Sequence, residues 1–176
     1  MPIEIRSVAE VEPLVARVRA AADVTAQRLR DLTGDANDGL TVLRHLKFSD
    51  FGRHPVEDRD INLIEQVNQT WTYLVSLRAL PFLFDRHPEA GGFRLYVGTE
   101  GGTDIMSLVP HAVAAEGFAV VHPHNNRKLA KDLEKLARDC PEARARYVFF
   151  AAPNFRHERQ VLLEKLPGIE VWGIDV

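Results

Sequence analysis

Two acidic residues carry the chemistry that the types and spacing in this sequence point to. Asp104 opens an apolar run from Ile105 to Val109, and Glu116 sits inside the next, Val113 to Val121, twelve positions later. If both runs are strands joined by a tight connection, a hairpin brings the two side chains together. Carboxylates held roughly 4 to 6 Å apart raise each other's pKa and repel unless a cation neutralises them. Mg2+ or Mn2+ is the fitting neutraliser, because such ions take oxygen ligands and complete their shell with water and phosphate. An ion held there polarises a phosphate and lowers the pKa of an attacking water. A lysine nearby would orient that water, and Asn125-Asn126-Arg127-Lys128 places one just beyond the second run.

The elements that must position these residues follow from periodicity. Val11, Leu14, Val15, Val18, Leu29 and Leu32 recur at helical spacing and predict one or two amphipathic helices, ended by a loop at Gly34-Asp35-Ala36-Asn37-Asp38-Gly39. Residues 48 to 60 read as an irregular connection. Ile61 to Leu80 predicts a long helix with Ile64, Val67, Trp71 and Leu74 as its core stripe and Pro81 at its end. From Phe93 the period changes. Phe93 to Thr99, Asp104 to Val109 and Val113 to Val121 predict a three-strand antiparallel meander, the first turn lying at Glu100-Gly101-Gly102-Thr103. A helix over Asn125 to Arg138 follows, capped by Asn125 or Asn126, with Leu129, Leu133 and Leu136 inward and Lys128, Lys131 and Lys135 outside that stripe. Tyr147 to Ala152 predicts a buried strand, His157 to Leu166 a short helix, and Glu170 to Ile174 a last strand.

This order, with Asp104 and Glu116 in place, resembles the PD-(D/E)xK nuclease superfamily over residues 61 to 176. The resemblance implies an α/β, restriction-endonuclease-like core, a mixed central sheet flanked by helices, with residues 1 to 60 as a helical extension packed on it. It implies Asp104 and Glu116 as metal ligands for Mg2+ or Mn2+, and a hydrolase acting on nucleic acid, with DNA the expected polymer. The family's pattern asks for lysine two positions after Glu116, where this chain has Phe118. Glu116 and Phe118 share a strand face, so the ring takes the amine's slot. In branches of the family that draw the lysine from the following helix, Lys128 would be its counterpart and Lys131 a weaker one. Glu65 matches a glutamate that many members present from the helix before the meander.

Other readings of the same residues stand beside this one. Glu116 lies among Ala114, Ala115, Gly117 and Phe118, where an unpaired carboxylate is expensive to bury, and alternation could instead turn it to solvent. Glu65 and Lys128 each have an ordinary reading as a solvated helix charge. Phe118 also fits a nuclease fold that has lost its chemistry and serves in binding or assembly. His122-Pro123-His124 offers two metal ligands without a third, and the glycines at 98, 101 and 102 precede a strand where a phosphate loop requires a helix.

The formal net charge of −3 over 176 residues excludes a protein that coats nucleic acid through bulk charge, though not one with a local basic patch. Arg127, Lys128, Lys131, Lys135 and Arg138 would form that patch. The single cysteine, Cys140, excludes a disulfide framework and makes a reducing cytoplasm the expected compartment. No run approaches the roughly 20 apolar residues that span a bilayer, and the start of the chain does not read as a signal peptide. Cutting both strands of a duplex would take a homodimer, for which the N-terminal amphipathic helices are available.

Overall fold

The computed structural model describes residues 2–34, 38–96 and 102–176. The centre of the predicted first loop, the tail of the predicted first meander strand and the first half of the turn after it (residues 35–37 and 97–101) lie outside the described residues. Six strands form one mixed sheet in the order β1 (Ile3–Ile5), β4 (Phe93–Leu95), β5 (Ile105–Ser107), β6 (Val113–Ala119), β7 (Ala145–Ala151) and β8 (Glu170–Gly173). The pairs from β1 through β6 are antiparallel, whereas β6, β7 and β8 run parallel. The meander is therefore antiparallel, as the short predicted turns demanded. A small hairpin of β2 (Gly52–Arg53) and β3 (Asp60–Ile61) stands apart, in the stretch that had read as irregular.

Helices cover both faces. On one lies α3 (Leu63–Arg86), with α1 (Val11–Gly34) and α2 (Gly39–Phe48) beyond it, and on the other α4 (Lys128–Asp139). Alternation along β6 and β7 sorts the core in two. Val113, Ala115, Tyr147 and Phe149 pack towards Val75, Leu77 and Leu80 of α3, while Ala114, Phe118, Val148 and Phe150 pack towards Leu129, Leu133 and Leu136 of α4. Glu116 falls in the second set by register.

Several elements differ from the sequence reading. β1 was not anticipated; three residues are too few to show a period, and the strand exists because Ile3 to Ile5 pair with Leu95 to Phe93 at the sheet edge. The long helix runs through Pro81 to Arg86. Proline costs a helix one hydrogen bond and a bend, and here flanking Leu80 and Leu83, both fully buried, hold the chain helical across it. The stripe of Ile64, Val67 and Trp71 faces outward, with Trp71 44% exposed. The buried face of that half instead carries Gln66 and Tyr73. Gln66 is tolerated inside because its amide is satisfied: Oε1 accepts from Thr25 Oγ1 at 2.6 Å and Arg53 N at 2.8 Å, and Nε2 donates to Ala21 O at 3.2 Å. The helix expected over His157 to Leu166 is a single 3-10 turn, Val161–Leu163. Gln160 N–H, just before it, bonds Val171 O instead of continuing a helix.

The sheet approaches α3 closely at Gly117. A Cβ there would stand 2.6 Å from Ser76 Oγ and 3.6 Å from Val75 Cγ1, so a glycine is needed for space. Gly117→Ala is expected to lower stability by about 1–3 kcal/mol through overpacking. Combining it with Ser76→Ala, which removes the clashing oxygen, should restore most of the loss in a denaturant melt.

Candidate functional site

The register Ile105↔Ala115 between β5 and β6 leaves Asp104, one residue before its strand, across from Glu116. With no ladder partner beyond β5, the Gly117 N–H is free, and it donates to Asp104 Oδ2 at 2.9 Å. Asp104 is fixed at its other end as well, since its carbonyl accepts from Tyr96 N at 2.9 Å. The two carboxylates are neighbours, each acting on the other's pKa.

Above them lies α4, which carries two stripes. Leu129, Leu133 and Leu136 enter the core, and one position earlier at each turn stand Lys128, Asp132 and Lys135. Successive residues differ by about 100° around a helix, so the second stripe rides on the flank of the first and faces the sheet. Lys135 Nζ lies 2.9 Å from Glu116 Oε1 and 3.0 Å from Oε2, aligned for a hydrogen bond with the latter. It also donates to Gly102 O. Thr103 Oγ1 lies 3.2 Å from Cys140 Sγ just past the helix, so α4 holds down the segment that leads into Asp104. Lys128 Nζ pairs with Asp132 Oδ1 at 2.6 Å and sits 5.7 Å over the Phe118 ring.

Five ionisable groups thus gather between α4 and the sheet, three acids and two amines. Glu116 is 1% exposed and Asp132 2%. Burial, then the charge of Asp104, pushes Glu116 up to about 8 in spite of Lys135. Burial likewise raises Asp132 and Asp104. The expectation that each of the hairpin acids raises the other holds in one direction, since contact with Glu116 lowers Asp104 slightly against the larger effect of burial. Burial alone would lower the Lys135 amine, but the hydrogen bond to Glu116 and the fields of all three acids lift it. Asp132 Oδ2 is buried without a hydrogen-bond partner.

The residues picked out in the sequence are placed as follows. Asp104, Glu116 and Lys128 come together on the α4 side of the sheet. Lys131 is exposed on α4. Glu65 stands apart: it is hydrogen-bonded to Asn62 and Gln69 in the first turns of α3, eleven residues and so roughly 16 Å of helix before Ser76, the residue that abuts Gly117. Asn125 and Asn126 do not cap α4; Arg127 holds the cap position with a left-handed backbone, φ 55°, and no side-chain cap bond. His122 and His124 face each other with ring centroids 5.3 Å apart. Asp132 is a site member to which sequence reasoning assigned no role, and Lys135, expected only in the basic patch, is the amine that meets Glu116. Their signal was present in the spacing 128, 132, 135, which repeats the leucine stripe one position over.

Among the described residues no three or more His, Cys, Asp or Glu side chains form a group arranged to hold a metal. The donors on hand still fit one class of ion. Mg2+ is commonly held by one or two carboxylates with water and phosphate completing its shell, and Asp104 and Glu116 supply such a pair in a space where acids outnumber amines. No family model, curated protein or solved structure matches this chain.

A pH prediction follows from the Glu116 shift. A carboxyl whose folded pKa lies above its ordinary value holds in the folded state a proton that the unfolded chain has released, so its contribution to stability falls as pH rises through the window from about 4.5 to 8. The fall is up to about 1.4 kcal/mol per pH unit for one proton. His54, buried and held below its ordinary value by burial, acts oppositely below about pH 6.5. The readout is therefore the wild-type stability minus that of Glu116→Gln, measured by urea denaturation from pH 5 to 9; it should decline with pH and level off above about 8.

Proposed function

We propose that this chain is a metal-dependent nuclease with a restriction-endonuclease-like core, in which the amine missing at position 118 comes from Lys135 of α4. The observation that carries this reading is the contact of Lys135 Nζ with both oxygens of Glu116, at 2.9 and 3.0 Å, beside Asp104. Helix α3, the antiparallel meander, α4 and the parallel strand β7 follow one another in the order that the family resemblance implies, which supports the core assignment. Asp104 and Glu116 would hold the ion. When bound, it would polarise a phosphate and acidify a water.

The chain's own groups have separable tasks. Asp104, fixed by Gly117 N–H and by its own carbonyl, presents an oriented oxygen. Lys135 keeps its proton and hydrogen-bonds Glu116 beside the place the ion would take. Lys128, balanced by Asp132, places a second positive charge over the Phe118 ring. Phe118 and Phe150, stacked with centroids 5.9 Å apart, exclude water from the floor and strengthen every charge above it. DNA is the polymer we propose.

A second reading, a nuclease fold kept for binding or assembly, is favoured by one feature: Lys135 already engages both oxygens of Glu116. Metal binding separates the two. Calorimetric titration with Mn2+ should show binding by the wild type that is lost in Asp104→Asn. Cleavage of plasmid DNA in Mg2+ or Mn2+ should fall by at least about 100-fold in Lys135→Ala, the scale of a lost proton-handling group, while Lys47→Ala on α2 cleaves as the wild type does. Absence of both metal binding and cleavage in the wild type selects the binding module.

A further inference from the structure

At the other end of the parallel strands, where β7 and β8 begin, the surface opens into a cleft of about 690 Å³. That volume is in the range of small-ligand sites. Five cationic side chains line it against two carboxylates, although the chain as a whole carries net negative charge. Two of the five are spoken for. Arg86 Nη2 pairs with Glu170 Oε1 at 2.8 Å, and Arg159 forms a two-pronged bond to Glu164 at 2.7 and 3.0 Å and lies 3.4 Å from Glu170. Both acids of the lining are thereby consumed, and Arg86 is further held against the rings of Phe82, Tyr147 and Trp172 at 5.5 to 6.0 Å.

Three cations remain. Arg144 and Lys165 are exposed, and their side chains make no hydrogen bond or ion pair with a described residue. Arg146 is half-buried and spends one donor on Pro167 O at 3.4 Å. Its guanidinium lies across Gly168, where a Cβ would stand 2.9 Å away and where φ is +73°. A glycine there meets both needs, the left-handed backbone and the passage of the arginine. The result is a concave surface whose ion-paired residues are rigid and whose unpaired donors belong to Arg144, Arg146 and Lys165. Arginine forks match the paired oxygens of a phosphate, and lysine adds a mobile point charge.

We infer that this cleft is a binding site for phosphate esters, either a free nucleotide or the backbone of a nucleic-acid strand. The carboxylates and lysines under α4 contribute nothing to its lining, so the inference does not rest on the nuclease reading. The test uses the full chain carrying Glu116→Gln, in EDTA, so that loss of cleavage and loss of cleft binding give separate signals. Two probes are titrated: ADP by calorimetry, and a fluorescein-labelled (dT)12 oligonucleotide by anisotropy.

At least one probe should bind, and Arg144→Glu with Lys165→Glu should weaken it by at least about tenfold. Both side chains are exposed, so folding is not at stake. For the oligonucleotide, log Kd against log salt should lose about one unit of slope for each phosphate contact removed. ADP binding assigns the site to nucleotides, and oligonucleotide binding with ADP silent assigns it to a strand backbone; either supports the inference. It is overturned if neither probe binds at millimolar concentration, if the double variant binds as the wild type does, or if Arg19→Glu on the distant face of α1 weakens binding equally.

Discussion

The ion pair between Glu116 and Lys135 is the constraint around which the α4 side of this molecule is arranged. A carboxylate in the middle of a core strand costs several kcal/mol to desolvate, and a neighbouring ammonium recovers that only with good geometry. Here the recovery is incomplete, as the raised pKa of Glu116 records. A hydrophobic residue at position 116 would continue the packing of Ala114 and Phe118 without any such penalty. Retaining an ionisable group at that position, with a second acid beside it and a third above it, is a pattern that stability does not explain and that functional sites show often.

The pair also dictates how α4 sits. For Lys135 to reach Glu116 while Leu129, Leu133 and Leu136 fill the space over Val148 and Phe150, the helix must turn the flank of its apolar stripe to the sheet. That rotation buries Asp132, which is then bearable only because Lys128 lies one turn before it at 2.6 Å. The same lysine that meets Glu116 bonds Gly102 O, so the helix, the strand and the segment leading into Asp104 are joined through one ammonium. Removing that charge would therefore loosen the approach of Asp104 as well as unpair Glu116.

What the sequence disclosed follows from which signals are local. The change of period at Phe93, the pairing of Asp104 with Glu116 and the common face of Glu116 and Phe118 all rest on strand alternation, and all appear in the structure. The leucine stripe of α4 marks Lys135 only as part of a solvent-facing basic patch and gives Asp132 no role, whereas a helix packed on a sheet buries a wider arc than its leucines mark. The apolar stripe through Trp71 predicts the wrong buried face, because the polar Gln66 holds the inner face through three hydrogen bonds supplied by α1 and β2. β1 and the 3-10 turn at Val161–Leu163 depend on partners distant in sequence, Leu95 to Phe93 for the one and Val171 beside the other, and no local window contains them.

Phe118 gives the site its particular logic. A lysine at that position would share the strand with Glu116, and its stem would replace the ring that stacks on Phe150. With the ring in place the floor of the site is apolar, which strengthens the fields of the charges above it and makes an unbalanced charge there more costly. The amines must then descend from the helix, and a helix that brings lysines to a sheet carries its own spacing, so 128, 132 and 135 arrive together as amine, acid, amine. Asp132 is the consequence: it offsets the extra amine that the helical repeat imposes and fixes Lys128 over the ring. Under the proposed nuclease reading, a site with two acids and one base on the strand is replaced by one of three acids and two bases, with the same excess negative charge and with its positive charges held in place by two separate contacts.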